Sequence, residues 1–407
     1  MSDYQVVISG GGPVGLICAY ALARRGVTVV VLDQNSELQD DPRAATTHPA
    51  TLEVLDELGV IDQVIEQGLV AEEFEFWDRP TGEKIATFDH AVLADDTKFP
   101  FVVQCEQFKL AKIFFAKLQQ EPSATVLFDH DVTGIDHTAD SVTVTASTPD
   151  GEKTFEGNWL IGADGGRSVV RKSAGIAFEG FTWAERFLVL STPFNFQAER
   201  GMSFRNYIAD PDEWCNCFKV AADGPPGLWR LVFPADPEAD EDALLADDFV
   251  QAQMQKFFKR DSNYDIVHRN LYNVHQRVAA TFRLGRVLLA GDSAHVNNSI
   301  GGMGLNGGIQ DAVNLTDKLT AVIIDGEDER LMDLYDKQRR TYAVDFVQEQ
   351  TIANKNRLEA TDPEARSANI KNLREMAADP VKARNFLLGA SMLAAMRRNA
   401  NMTLDDA

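Results

Sequence analysis

Three glycine stretches, two of them holding a carboxylate and the first followed by Asp33, have spacings suited to a ligand bearing phosphate or a polar ring: Gly10–Gly15, Gly162–Arg171 and Gly291–Asn306. The last sits inside a longer run, Arg286 to Leu315. It opens with the apolar Val287–Ala290, which reads as a buried strand, and Gly291-Asp292 ends that strand. Gly301, Gly302, Gly304, Gly307 and Gly308 follow a polar loop. From about Leu305 the pattern is helical, with Ile309, Ala312, Val313 and Leu315 on one side. Glycines let backbone N–H groups approach a ligand without side chains in the way. A helix start adds unpaired N–H groups and the positive end of a dipole. Asp292 can accept hydrogen bonds from sugar hydroxyls. Such a loop suits a phosphate, and equally the N1–C2=O edge of a flavin, which becomes anionic on reduction.

The first stretch lies in a complete βαβ pattern. Tyr4–Ser9 reads as a strand, and Gly10, Gly12 and Gly15 give G-x-G-x-x-G with Pro13 inside it. A helix over 14–25 follows, stopped by Gly26. Val27–Leu32 is a second buried strand closing at Asp33, 18 residues past the last glycine. The glycines permit the tight turn, the approach of a pyrophosphate and close helix–strand packing, and Asp33 is placed to bind ribose hydroxyls. On its own this motif permits NAD or FAD.

These stretches must be held by a sizeable scaffold. The chain has 407 residues, which predicts two or three domains. Its net charge of −23 argues against nucleic acid and anionic membrane surfaces as partners. Four cysteines make no disulfide framework; Cys215 and Cys217 are read as packing, and no metal site is expected. The N-terminal apolar run is broken at Gly10 and reads as strand and turn, not a signal peptide. No uninterrupted apolar run of about 20 residues occurs, so a cytoplasmic location is expected.

Between the motifs, the chain predicts a polar turn from Asp40 and then a helix with Leu52, Leu55 and Leu58 on one side. A hairpin is expected over 72–84, an irregular stretch over 86–100 and a helix over 106–120. Short strands are expected over 125–129, 132–137, 142–147 and 153–156. Residues 178–280 are rich in aromatics and β-formers, including Tyr207, Trp214, Phe218, Trp229 and Arg230, and predict an antiparallel sheet. Beyond Leu315 the chain reads as helical, with a break at Asp362-Pro363 and two more helices to about Arg398.

The long glycine run resembles the second flavin motif of the FAD-dependent aromatic hydroxylases, the family of para-hydroxybenzoate hydroxylase. Gly291-Asp292-Ser293-Ala294-His295, Gly301-Gly302-Met303-Gly304-Leu305-Asn306 and Asp311-Ala312-Val313-Asn314-Leu315 carry the likeness. Gly162-Ala163-Asp164-Gly165-Gly166-Arg167-Ser168 with Arg171 resembles the family's Asp-Gly motif. The family's proline pair is replaced by Asn298-Ser299. The resemblance implies a Rossmann-like α/β FAD-binding domain over 1–72, 101–177 and 281–328. It implies an inserted antiparallel-sheet substrate domain over 73–100 and 178–280, and a helical C-terminus over 329–407.

The resemblance also implies roles. FAD is expected against Gly10, Gly12, Pro13, Gly15, Asp33, Arg43, Gln104, Asp164, Asp292, Gly302, Gly304, Leu305 and Asn306. His48 and Tyr207 are the expected catalytic residues, and Asn298, Ser299 and Trp229 the expected substrate contacts. The implied reaction is hydroxylation of a phenolic or hydroxylated heteroaromatic ring through a flavin C4a-hydroperoxide. NADPH or NADH and O2 are co-substrates, and the nicotinamide binds only transiently, since one dinucleotide unit is present. A reductase or oxidase on the same scaffold is the alternative. A homodimer is left open.

Overall fold

The computed structural model describes residues 3–40 and 43–406. The expected turn from Asp40 therefore falls partly on Asp41 and Pro42, outside the described residues, as do Met1, Ser2 and Ala407 at the outer expected domain bounds.

Two eight-stranded sheets carry the molecule. The first has a parallel centre in the order Val287–Leu289, Gly151–Gly162, Tyr4–Ser9, Val29–Leu32, Ala124–Leu127. Val29–Leu32 is buried along its whole length, as a parallel strand covered on both faces must be. Helix Pro13–Ala23 packs between this sheet and helix Gly304–Thr320, burying Leu16, Ile17 and Leu22 completely. Pro13 sits in its first turn, where a missing N–H costs nothing. Gly26, at φ +85°, follows its end.

The second sheet runs His295–Val296, His268–Ala279, Phe178–Thr192, Leu228–Ala235, Cys215–Val220, Arg205–Ala209, Glu73–Asp78, Glu83–Asp89. It was expected to be antiparallel. One pairing is not: Arg205–Ala209 runs parallel to Glu73–Asp78. Those two strands are far apart in sequence, so no hairpin dictates their relative direction. His295–Val296 also joins this sheet, pairing with His268–Ala279.

Period two sorts the second sheet into two faces. Phe74, Phe76, Phe187, Val189, Tyr207 and Val232 point to one. Trp77, Leu188, Ile208, Cys215, Cys217, Trp229 and Leu231 point to the other, under helix Asp247–Phe257. A third, three-stranded sheet was not foreseen; it sets Val102–Gln104 between Thr46–Thr47 and Leu69–Ala71.

Two expectations of local structure change. The stretch over 86–100 continues a strand to Asp89 and then forms a 3₁₀ turn, His90–Leu93, capped by the Asp89 carboxylate. Past Asp362 there are three helices, not two: Pro363–Ala378, Pro380–Ala390 and Leu393–Ala400. Asp379-Pro380 and Met392, in the left-handed region, separate the three.

Candidate functional site

The glycine–acid stretches converge because each follows the C-terminal end of a neighbouring parallel strand. Tyr4–Ser9, Gly151–Gly162 and Val287–Leu289 lie side by side and end at one edge, the usual ligand edge of such sheets. Ala163 N donates to Ser9 O at 2.8 Å, and Ala290 N to Gly162 O at 3.0 Å. Arg171 clamps two of the stretches, donating to Ser293 O at 2.7 Å and Gly166 O at 2.8 Å.

The first turn has no room for side chains on its inner side. A Cβ on Gly15 would lie 1.9 Å from Gly10 O, and one on Gly10, at φ +105°, 2.4 Å from Ala163 O. Gly12 differs: nothing lies within 4 Å of its would-be Cβ. That is a glycine facing open space, as the approach of a pyrophosphate requires. Asp33 accepts from Gly11 N at 2.5 Å and Asn35 N at 2.9 Å, and a carboxylate retains further lone pairs for ribose hydroxyls. Asp164 accepts from Val169 N and Val170 N through one oxygen. Its other oxygen is buried without a partner, and burial raises its carboxyl above the usual range.

The second half of the cleft is a bracket. Asn306 accepts from His48 N at 2.9 Å and donates to Thr46 O at 2.8 Å and Gly302 O at 2.7 Å. Its side chain thus ties the Arg43–His48 strip to the glycine loop. Gly302, at φ +71°, lies so close to Thr46 that a Cβ would stand 2.8 Å from that side chain. Gln104, fully buried, accepts from Thr46 Oγ1 at 2.8 Å, while its Nε2 has no partner. Gly304, Leu305 and Asn306 form the first turn of a 17-residue helix and bring its unpaired N–H groups. Asp292 is exposed yet deep in a concavity. Desolvation raises its carboxyl, against the pull of His295 and Arg43. Arg43 has an exposed side chain, and its carbonyl accepts from Arg230 Nη1.

These groups fit FAD. Open space at Gly12, orphaned polar atoms at Gln104 and Asp164, a helix start and the carboxylates of Asp33 and Asp292 match a pyrophosphate, a ribose and a ring with alternating donors and acceptors.

A buried triad supports the glycine loop, and the motif reading assigned it no role. Asp311 accepts from His295 Nε2 at 2.8 Å, Arg339 Nε at 2.6 Å and Gly291 N at 3.0 Å. Arg339 also donates to Gly307 O at 3.1 Å. Arg339 lies 28 residues away on another helix, so spacing alone could not pair it with Asp311.

Beyond the loop lies a cavity enclosing about 430 Å³ of empty space, part of it open to solvent. His48 and Tyr207 both line it, with Gly301 and Met303 of the glycine loop. Phe74, Phe76 and Phe386 supply aromatic walls. Tyr207 stacks on Phe76 at 5.3 Å and meets Phe74 edge-on at 5.8 Å. Arg205 is buried beside them and donates to Tyr207 OH at 3.2 Å, while its Nη1 has no partner. Burial first, and then Arg205, lowers His48 to about 3 and His90 to about 4. Both rings are therefore neutral. Arg205, His90, Arg357 and Phe386 were missed. The alternation of Arg205 with Tyr207 was the available signal for the first; nothing in spacing marks the others.

The three expected substrate contacts stand elsewhere. Trp229 is buried on the opposite face of the sheet, edge-on to Phe196 at 5.6 Å. Its strand neighbours Arg230 and Val232 face the cavity side, since alternate residues of a strand point to opposite faces. Asn298 is fully buried; Gln276 and Ile300 N hold its side chain. Ser299 is exposed and bonds Tyr272 OH at 2.8 Å. Neither lines the cavity.

A family model described as an FAD binding domain matches residues 3–350. A para-nitrophenol 4-monooxygenase from a Pseudomonas species is 34% identical over 395 residues, 95% of either chain. The 6-hydroxy-3-succinoylpyridine 3-monooxygenase of Pseudomonas putida is 33% identical over 389 residues, 94% of this chain and 96% of its own. The crystal structure of a p-nitrophenol 4-monooxygenase from Pseudomonas putida superposes with a TM-score of 0.92 at 33% identity, covering 98% of this chain and 99% of that one.

Proposed function

This chain belongs to the FAD-dependent aromatic hydroxylases, the class A flavoprotein monooxygenases, and from that premise we propose that it hydroxylates a single-ring phenol or hydroxypyridine held as its oxyanion in the His48–Tyr207 cavity. NAD(P)H and O2 are the co-substrates of this reading. The observation that carries it is the cavity itself: aromatic walls, the buried cation Arg205 with an unpartnered nitrogen, and no carboxylate in the lining. The names of two relatives, a nitrophenol and a hydroxypyridine monooxygenase, agree with a small hydroxylated ring.

An aromatic ring is a better nucleophile once its hydroxyl is ionised. A base or a nearby cation can achieve that. His48 is a poor base, since its pKa is lowered to about 3. The cation carries the role instead. Tyr207 accepts from Arg205, which leaves its own O–H to donate to the substrate oxyanion. His48 orients the ring and fixes the glycine loop through Gly301. Bound FAD would supply the redox chemistry of hydride acceptance and oxygen activation. Gly10, Gly12, Pro13, Gly15 and Arg43 would hold its pyrophosphate, Asp33 its ribose, and Gln104, Asp164, Asp292 and Gly302–Asn306 its ring side. The aromatic walls limit the water around the reacting ring.

The domain division is part of the same proposal, with FAD held by 1–72, 101–177 and 281–328, and the ring by 73–100 and 178–280. So are a cytoplasmic location and a homodimer, for which fractionation and sedimentation are the checks. Among the described residues no helix is long and apolar enough to cross a membrane. The deciding experiment supplies NADH or NADPH, phenols and isotopically labelled O2 to the purified flavoprotein. Label in a ring hydroxyl is expected; peroxide with an unlabelled ring would instead make it an oxidase.

A further inference from the structure

The cavity has a second cation, and it comes from a part of the chain past residue 350, where the family match ends. Helix Glu349–Leu358 contributes Asn354, Arg357 and Leu358, and helix Pro380–Ala390 contributes Phe386 and Ala390. The Arg357 guanidinium stands 6.0 Å from the Phe76 ring centre and 5.9 Å from that of Phe386. Arg205 lies over a different ring, Phe74, at 5.3 Å. Arg357 Nη1 donates to the Asn354 side chain at 3.1 Å, and that is a neutral partner.

Arg357 is a half-buried cation in a chain rich in carboxylates. The chain has 62 acidic against 39 basic residues. Several cations of the C-terminal helices have carboxylates: Lys355 has Glu185 and Glu359, Arg366 has Asp78, and Arg384 and Arg397 share Asp96. Among the described residues Arg205 donates to the neutral Tyr207 and Arg357 to the neutral Asn354, and no acid lines their cavity. A cation withdrawn from water without a counter-charge is costly unless a ligand supplies one. One phenolate oxygen, met through Tyr207, answers one cation only.

We propose that Arg357 is a specificity-determining residue, receiving a planar two-oxygen substituent, nitro or carboxylate, carried by the substrate ring in addition to its hydroxyl. A guanidinium fork matches two coplanar oxygens, which an ammonium cannot reproduce. The C-terminal helices then select the substrate, while the residues within the family match hold FAD and the ring hydroxyl. This inference rests on the hydroxylase reading above.

The test is equilibrium binding to the FAD-loaded enzyme, read from the flavin absorbance without turnover. The probes are para-nitrophenol, para-hydroxybenzoate and para-cresol, with wild type, Arg357→Met and Arg357→Lys. Arg357→Met is expected to weaken the better of the two-oxygen ligands by about 10- to 100-fold and para-cresol by less than about threefold. Arg357→Lys is expected to restore only part of the loss. Whichever two-oxygen ligand loses more names the substituent. Equal weakening of all three, or none, overturns the proposal. If Arg357→Met fails to retain FAD, the same comparison in Arg357→Lys decides it. The hydroxylase reading fails separately, by absence of labelled oxygen in any phenol.

Discussion

His48 Nε2 lies 2.7 Å from the carbonyl oxygen of Gly301, joining positions 253 residues apart in the chain. A carbonyl only accepts, so Nε2 carries the proton and Nδ1, buried without a partner, is the lone-pair side. One bond therefore fixes the tautomer of a cavity residue and the position of the glycine loop.

The same burial makes His48 a reporter of pH. Its pKa falls from the ordinary 6.5 to about 3 in the fold, by desolvation first and Arg205 second. Between those values the unfolded chain binds the extra proton and the folded one does not. Stability is thus full above 6.5 and declines as pH drops toward 3. Guanidinium unfolding should show His48→Gln losing up to about 1.4 kcal/mol per pH unit less than wild type below about pH 6. Parallel profiles would refute the neutral, buried histidine.

Tyr207→Phe removes the hydroxyl between Arg205 and the proposed oxyanion. Phenol affinity should drop by about 10-fold, a typical loss for a hydrogen bond to a charged group. The apparent pKa of a bound nitrophenol, followed by its own absorbance, should rise. FAD content should stay constant. A matching loss of FAD would place Tyr207 in the cofactor site instead.

Two glycines of one turn should respond differently to alanine. Gly15→Ala sets a methyl against Gly10 O and should lower the melting temperature of apoprotein and holoenzyme alike. Gly12→Ala meets nothing within 4 Å in the fold. It should leave apoprotein melting unchanged and weaken FAD retention, measured by flavin release on dilution. An apoprotein destabilised equally by both would show that Gly12 is a packing glycine.

Asp311→Asn would leave Arg339 buried beside an uncharged partner. Breaking a buried pair from one side costs about 3–5 kcal/mol. Burial alone pushes the Asp311 carboxyl up, but His295 and Arg339 outweigh it and hold it below the ordinary 3.8. A depressed carboxyl stabilises the fold above its unfolded pKa and loses that contribution as pH falls through the folded one. Denaturant melts should therefore show a gap between wild type and Asp311→Asn that is full at neutral pH and closes below about pH 4. A gap that persists in acid would exclude the carboxylate as its source.

Much of the fold was readable because it rests on local rules. Tyr4–Ser9 was bounded by its own glycine turn, and helix Pro13–Ala23 by Gly26. The faces of the second sheet follow period two, but the parity of Trp229 had to come from the strand partners that bury it. The parallel pairing of Arg205–Ala209 with Glu73–Asp78 and the contact between Thr46 and Gln104 join distant segments, and no short-range signal specifies such contacts.

The sequence alone determined the cofactor end of this protein. Glycine turns, strand-ending acids and helix starts bind through backbone, and backbone geometry is written in residue type at fixed spacing. Tertiary structure alone assembled the cavity beyond the glycine loop. His48, Arg205 with Tyr207, Arg357 and Phe386 come from four separate segments and share one cavity. A side chain's chemistry there depends on what buries it and which charges face it, and both are set by segments hundreds of residues away.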